Sequence, residues 1–163
     1  MEYRDDKGIQ QTERVRLVDW NEPEKNQFTL VSQMWVNSDQ YRRRPDLIGF
    51  VNGIPILFME LKEPSVNVKH AYSQNLRDYK DTIPHLFWFN GLVILSNGNA
   101  AKAGSITAEW EHFADWKKIN DEGETGIIDL DTIIRGTCSH EKLCDIVENF
   151  TIFMGWCLLL IYC

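Results

Sequence analysis

The chain has 163 residues, 44% of them hydrophobic and 12% aromatic, which indicates one packed domain rather than a disordered chain. The formal net charge of -7 argues against a surface that binds polyanions without specificity, although an acidic domain can still carry one basic groove. The four cysteines all lie in the last quarter, without CxxC spacing or a histidine at ligand spacing. This pattern argues against a zinc site or a disulfide framework. The charged opening MEYRDDKG is not a signal peptide, so we expect a cytoplasmic protein.

The first third of the chain predicts strands. The segment EYRDDKGIQQTERVRLVD alternates polar and apolar residues around the turn signal Asp-Lys-Gly, which predicts an N-terminal hairpin. Three further strands are predicted at 28–36, at DLIGFV (46–51) and at IPILFMELK (54–62). The last two are joined by Asn52-Gly53, a signal for a short hairpin turn. Together the three strands predict an antiparallel meander.

The remaining chain adds helices and more strands. Apolar residues at steps of three and four predict an amphipathic helix over 66–81, which Pro84 ends. The continuous apolar run LVILSN (92–97) predicts a strand covered on both faces. We expect further strands at 103–107 and 110–117, and helices at 129–136 and 139–153, the second with Ser139 as its N-cap. The pattern predicts an α/β domain.

The C-terminal segment differs in composition from the rest. FTIFMGWCLLLIYC (150–163) is apolar but only fourteen residues long, fewer than the ~20 that a membrane-spanning helix needs. We therefore expect no membrane association and interpret the tail as a core segment. Residues 1–153 are predicted to form the domain, and residues 154–163 an atypical apolar tail.

Two acids and a lysine stand in the apolar strands of the meander. Glu60 and Lys62 are two residues apart on one strand and point to the same face of the sheet. A tight Asn52-Gly53 turn with regular pairing would put Asp46, on the neighbouring strand, on the opposite face. A bulge or a three-residue loop with Gly53 in the left-handed conformation shifts the pairing by one and sets Asp46 opposite Glu60. We predict that shift.

The chemistry of this group indicates a metal site. Two facing carboxylates repel each other unless a cation lies between them, and Mg²⁺ prefers oxygen ligands. A lysine beside them can polarise an attacking water and stabilise charge that develops on phosphorus. We therefore predict metal-assisted hydrolysis of a phosphodiester. The alternative is that Asp46 and Glu60 are solvated surface acids and Lys62 their salt-bridge partner.

The extended string YRRRPDLIGFVNGIPILFMELK (41–62), followed by NLRDYKDTIPHLFWFNGLVILSNG (75–98), makes the motif specific. PD followed by ELK resembles the PD-(D/E)xK nuclease motif. The longer string resembles the N-terminal nuclease domain of the restriction (motor) subunit of type I restriction enzymes, over residues 2–153. The resemblance implies a restriction-endonuclease-like core, a central mixed sheet flanked by helices with an N-terminal hairpin. The resemblance also implies a domain that is truncated at both ends relative to the family.

The resemblance also implies roles for single residues. Asp46 and Glu60 are the expected Mg²⁺ ligands, together with the backbone carbonyl of Leu61, and Lys62 is the expected catalytic lysine. Mn²⁺ is expected to substitute for Mg²⁺.

The family carries a Q-x-x-x-Y motif in the following helix, associated with DNA binding or with positioning the site. Tyr79 matches its tyrosine. Asn75 stands four residues earlier, on the same helix face, and Gln74 one place before that. We predict Tyr79, Asn75 and Gln74 as nucleic-acid-binding residues. The alternative is that Tyr79 anchors the helix in the core and Asn75 is a boundary residue.

Other polar residues near the site leave two interpretations open. Arg43 and Arg44, with Arg42 before them, either contact phosphates or form a solvated run of charge. Gln33 contacts either metal-bound water or, as the commoner case, a structural hydrogen-bond partner.

The sequence thus predicts the Mg²⁺-dependent DNA endonuclease domain of a type I site-specific deoxyribonuclease. The expected partners are double-stranded DNA and, in the full complex, methyltransferase and specificity subunits, with ATP needed only by the absent motor domains. One alternative is a catalytically silent remnant that binds DNA or partner subunits. Another is a stand-alone structure-specific nuclease such as a junction resolvase, for which a more basic surface and a dimer are expected.

Overall fold

The computed structural model describes residues 2–4, 6–12, 16–154 and 157–160, with side chains up to residue 151. The strands are β1 (Glu2–Arg4), β2 (Gln10–Thr12), β3 (Phe28–Ser32), β4 (Val36–Asn37), β5 (Arg42–Arg43), β6 (Leu47–Val51), β7 (Ile54–Leu61), β8 (Leu92–Ser96), β9 (Ala101–Gly104), β10 (Thr151–Met154) and β11 (Cys157–Leu160). A π-helix (Ala71–Leu76) continues directly into α1 (Arg77–Thr82), and α2 (Asp129–Thr137) and α3 (His140–Asn149) follow later in the chain.

The centre of the molecule is a five-stranded mixed sheet in the order β3-β6-β7-β8-β9. β3, β6 and β7 form the predicted antiparallel meander. β8 runs parallel to β7, and β9 returns antiparallel at the edge. All five residues of β8 are buried, as its continuous apolar sequence predicts for a strand covered on both faces. The N-terminal hairpin is also confirmed, since β1 pairs antiparallel with β2.

Helices cover both faces of this sheet. On one face, Phe58 and Val93 pack with Leu76 and Tyr79 from the helical segment that follows β7. On the other face, Met59, Ile94 and Ile133 lie in a second buried cluster. Leu143 and Val147 of α3 join that second cluster. The result is the predicted mixed α/β fold.

The turn between β6 and β7 is a tight two-residue turn. Val51 pairs with Ile54, and Asn52 and Gly53 adopt φ angles of 50° and 81°. The one-residue shift occurs inside the strands, because Phe50 pairs with Pro55 while Gly49 pairs with Leu57. The predicted register is therefore confirmed, but the extra residue is Ile56 and not a residue of the loop.

Four predicted elements differ from the structure, one of them the strand predicted at 103–107, which lies at Ala101–Gly104. The strand predicted at 28–36 ends at Ser32, and Val36–Asn37 pairs with Arg42–Arg43 in a separate two-stranded ribbon. The predicted helix over 66–81 begins later and opens with π-helical turns. The strand predicted at 110–117 is wrong, since Trp110–His112 forms a 3-10 turn and only Ala114 bridges to the sheet.

The C-terminal elements follow the prediction in part. Ser139 caps α3 and accepts a hydrogen bond from the backbone N–H of Lys142. This helix ends at Asn149, and Thr151–Met154 pairs antiparallel with Cys157–Leu160. The prediction that the tail is a core segment concerns side chains that lie outside the described residues. Among the helices that the structure describes, none is long and apolar enough to cross a membrane.

Candidate metal and phosphodiester site

Asp46, Glu60 and Lys62 meet where two neighbouring inner strands of the central sheet end, at the start of β6 and the end of β7. The pairing of Leu47 with Met59 sets the preceding residue, Asp46, beside Glu60 on the face that carries the π-helix and α1. Without the extra residue Ile56, Asp46 would face the other side of the sheet. The bulge therefore assembles the acid pair.

Glu60 is the unusual member of the pair. Its side chain is buried, with only 2% of its surface exposed. Oε1 accepts a hydrogen bond of 3.3 Å from the Lys62 ammonium, whereas Oε2 has no hydrogen-bond partner among the described residues. Burial, and secondarily the Asp46 carboxylate, raises the pKa of Glu60 from 4.5 to about 7, although Lys62 opposes this shift. A buried carboxylate oxygen without a partner is costly, so this position favours a bound cation.

The Asp46 carboxylate accepts hydrogen bonds from two segments of the chain, the residue after β3 and the end of β7. Its Oδ2 accepts a hydrogen bond of 2.8 Å from the backbone N–H of Leu61, and its Oδ1 accepts one of 2.8 Å from the Gln33 amide. The backbone carbonyl of Asp46 also accepts a hydrogen bond from the Gln33 N–H at 2.9 Å. These contacts orient the carboxylate, and each oxygen keeps a further lone pair.

Gln33 adopts this position at a conformational cost. Its φ is 53°, in the left-handed region that residues other than glycine seldom occupy. The two hydrogen bonds to Asp46 account for this conformation, which also ends β3. Of the two interpretations of Gln33, the structure shows the structural hydrogen bond, with Asp46 as the partner.

Replacing Gln33 by alanine is expected to weaken Mn²⁺ binding about tenfold, because residues that orient a ligand typically contribute that much to metal affinity. Gln33→Asn is the matched control for backbone strain, since asparagine tolerates the left-handed region but is one methylene shorter. Calorimetric titration should show that both variants lose affinity. Full affinity in Gln33→Ala would show that the amide does not position Asp46.

Lys62 and Leu61 follow Glu60 at the end of β7. The Lys62 side chain is 21% exposed, so its ammonium lies at the boundary between the core and solvent. Its backbone N–H donates to the carbonyl of Ser96 at 2.8 Å, which fixes this end of the strand against β8. The backbone N–H of Leu61 donates a hydrogen bond to Asp46. This bond holds the backbone of Leu61, and with it the Leu61 carbonyl, beside the acid pair.

Tyr79 and Asn75 lie over the acid pair, on the helical segment. Tyr79 is 7% exposed and packs edge-on against Phe58 at 6.0 Å between ring centroids, and the Asn75 side chain is near enough to act on its pKa. Burial raises the pKa of Tyr79, and the carboxylates of Glu60 and Asp46 raise it further. Gln74 points elsewhere, with its amide 2.8 Å from His70 Nδ1 on the exposed side. Asn75 therefore lies on the Tyr79 side of the helical segment, whereas Gln74 contacts His70 instead.

The three consecutive arginines separate into two groups. Arg43 forms a bidentate ion pair with Asp78 of α1, at 2.5 and 3.0 Å, so its charge is already compensated. Arg42 and Arg44 lie against Trp35, with their guanidinium carbons 4.1 and 5.1 Å from the centroid of the indole ring. Sequence reasoning missed both the Asp78 partner, 35 residues away, and Trp35. Alternation along the strand, which sends Arg42 and Arg44 to one side, was the available signal.

The carboxylate oxygens of the acid pair are suitable ligands for a hard divalent cation. Within the part of the chain that the structure describes, no group of three or more histidine, cysteine, aspartate or glutamate side chains could hold a metal. The acid pair supplies two carboxylates, one with an unpartnered oxygen, and Mg²⁺ commonly takes one or two carboxylates and completes its shell with water and phosphate oxygens. The arrangement thus offers two oxygen ligands and one adjacent cation on a partly dry edge of the sheet.

Comparison with known proteins gives one family. The family model described as "Type I restriction enzyme R protein N terminus" matches residues 1–112. The HindI endonuclease subunit, a type I restriction enzyme subunit of Haemophilus influenzae, is 35% identical over 154 residues, which cover 90% of this chain and 14% of that protein. The SsaAORF53P endonuclease subunit of Staphylococcus saprophyticus is 34% identical over 74 residues, which cover 45% of this chain and 8% of that protein. The chain thus spans a small fraction of the length of these relatives.

Proposed function

We propose that this chain, which belongs to the family of type I restriction enzyme R protein N termini, is a Mg²⁺-dependent DNA endonuclease domain. It would hydrolyse phosphodiester bonds of double-stranded DNA as part of a restriction subunit. Methyltransferase and specificity subunits would be its partners in the full complex, and ATP would serve motor domains outside this chain.

One observation carries the proposal. A buried glutamate, Glu60, lies beside a second carboxylate, and one of its oxygens has no partner among the described residues. A chain that used these acids only for structure would gain stability by replacing Glu60 with a neutral side chain, because burying a charge is costly. The pair is best explained by a cation that binds there in function.

Asp46, Glu60 and the backbone carbonyl of Leu61 would hold the metal. When bound, Mg²⁺ would supply charge stabilisation to the scissile phosphate and lower the pKa of a bound water. Gln33 and the Leu61 N–H would keep Asp46 in its orientation. Lys62 would orient a water or a phosphate oxygen next to Glu60, since its ammonium has donors beyond the one that binds Oε1.

Tyr79 and Asn75 would act on the same side. The tyrosine hydroxyl is close enough to the two carboxylates for their charges to raise its pKa, and it would donate to a phosphate oxygen of the substrate. Arg44 would contact a flanking phosphate, whereas the ion pair with Asp78 leaves Arg43 less able to do so.

A silent DNA- or subunit-binding remnant is the competing function. The observation that favours it is that both oxygens of Asp46 already accept hydrogen bonds from the protein. Metal binding separates the two functions, because a silent module has no need of a cation between the acids.

The wild-type chain is expected to bind one Mn²⁺ or Mg²⁺ ion in a calorimetric titration, and Asp46→Asn is expected to lose that binding. Asp39→Asn, which removes the same charge from an exposed position, is the control and should bind as wild type does. Equal titrations for wild type and Asp46→Asn would reject the metal site and favour the silent module.

A further inference from the structure

An exposed tryptophan with two arginines adjoins the acid pair. Trp35 is 49% exposed, although tryptophan usually buries most of its surface. Arg42 lies 4.1 Å and Arg44 5.1 Å from the centroid of its ring. We call Trp35, Arg42 and Arg44 the arginine-tryptophan platform.

The small ribbon of β4 and β5 builds this platform. Val36 pairs with Arg43 in antiparallel register. Trp35, just before Val36, therefore lies across from Arg44, just after Arg43. Arg42 and Arg44 both lie against Trp35, whereas Arg43, between them, binds Asp78 on the other side. The ion pair of Arg43 thus anchors the ribbon to α1 and holds the platform in place.

The charge of the platform is uncompensated. Within the described part of the chain, Arg42 and Arg44 form no ion pair with a carboxylate, in contrast to Arg43, Arg77 and Arg135. Two guanidinium groups that share one ring in a protein of net charge -7 form a local positive surface. Such a surface favours an anion that bridges the two groups.

The platform lies at the site. Gln33, which holds Asp46, is two residues before Trp35, and Arg44 is two residues before Asp46. Two extended residues span at most ~7 Å. The backbone that carries the platform therefore lies within ~7 Å of the residues that hold the acid pair, a span of about two nucleotides at ~3.4 Å of helix axis each.

We infer that the arginine-tryptophan platform binds the sugar-phosphate backbone of duplex DNA next to the bond to be cut. Arg42 and Arg44 bind phosphate oxygens, and the Trp35 ring holds both guanidinium groups in position and covers the adjacent sugar. This inference deepens the proposed function, on which its catalytic meaning rests, but it concerns a different set of residues from the metal site.

The test is DNA binding in the presence of a chelator, so that no cleavage occurs. Fluorescence anisotropy would be measured with a duplex oligonucleotide and a single strand of the same length, between about 50 and 200 mM salt. Arg42→Ala/Arg44→Ala is expected to bind the duplex more weakly, with a slope of log affinity against log salt smaller in magnitude by about two. Trp35→Ala is expected to weaken duplex binding in the same direction.

The matched control is Lys25→Ala/Arg135→Ala, which removes the same charge near α2 and α3, on the other face of the sheet. Its salt slope should equal that of wild type. The inference is overturned if the platform variants match this control, if only single-strand binding changes, or if the wild-type chain binds no duplex at low salt. Calorimetric Mn²⁺ titration of the same variants should be unchanged, so that failure of the platform is distinguishable from failure of the metal site.

Discussion

Lys62→Met is expected to abolish nicking of supercoiled DNA, with a loss on the order of 10²- to 10³-fold, while the chain stays folded. Methionine keeps the length and apolar stem of lysine but removes the ammonium that lies 3.3 Å from Glu60 Oε1. No other described ion pair involves Glu60. The measurement is the rate of plasmid nicking in Mn²⁺ and Mg²⁺, beside the exposed control Lys69→Met.

A second readout of the same variant does not depend on cleavage. The Lys62 ammonium lowers the pKa of Glu60, so its removal raises that pKa further above about 7. Since metal binding requires the ionised carboxylate, the pH at which Mn²⁺ binding is half-maximal should rise in Lys62→Met and not in Lys69→Met. Unchanged nicking together with an unchanged pH midpoint would exclude Lys62 from the site.

Glu60→Gln is expected to increase the free energy of unfolding at pH 8, in chelator, by about 3 kcal/mol. Burial raises the pKa of Glu60 from 4.5 to about 7, so the folded chain holds a proton that the unfolded chain releases. The stabilisation from this proton is fully present below pH 4.5 and is lost as the pH rises through about 7. A neutral glutamine resembles the protonated acid, so the variant keeps this stabilisation as the pH rises.

Denaturant unfolding of wild type and Glu60→Gln between pH 4.5 and 8 tests this expectation. The two curves should nearly coincide at pH 4.5 and separate as the pH rises. Saturating Mg²⁺ should then reduce the difference, because it stabilises only the wild type. Parallel pH profiles in chelator would show that Glu60 ionises freely and is not the costly buried acid described here.

Local sequence patterns predicted the elements whose stability is local. The four consecutive apolar residues of β8 indicated a buried strand, Asn52-Gly53 supplied the two positive φ angles that a tight turn requires, and Ser139 offered an N-cap oxygen. The two-residue period also placed Glu60 and Lys62 on one face. These features depend on neighbours within a few residues, so a single sequence is enough to predict them.

The position of the bulge depended on contacts between distant segments. A Cβ on Gly49 would lie 2.9 Å from Cβ of Leu57, so this glycine permits the close approach of β6 to β7 just where the pairing shifts. The extra residue, Ile56, has its carbonyl occupied by the N–H of Gly91 and the Asn90 amide, more than 30 residues away. No turn rule contains that partner, and the sequence alone therefore assigned the shift to the loop.

By itself, the sequence determined the fold class, the identity of the acid pair and lysine, and the need for a register shift to bring them together. Only the tertiary structure decided how the pair is held, because Gln33 leaves the strand in a left-handed conformation to bind Asp46. It also decided which arginines keep a free charge, since the partner of Arg43 lies on α1. Strand periodicity acts between neighbours, whereas a hydrogen bond or an ion pair across the sheet depends on how the whole chain packs.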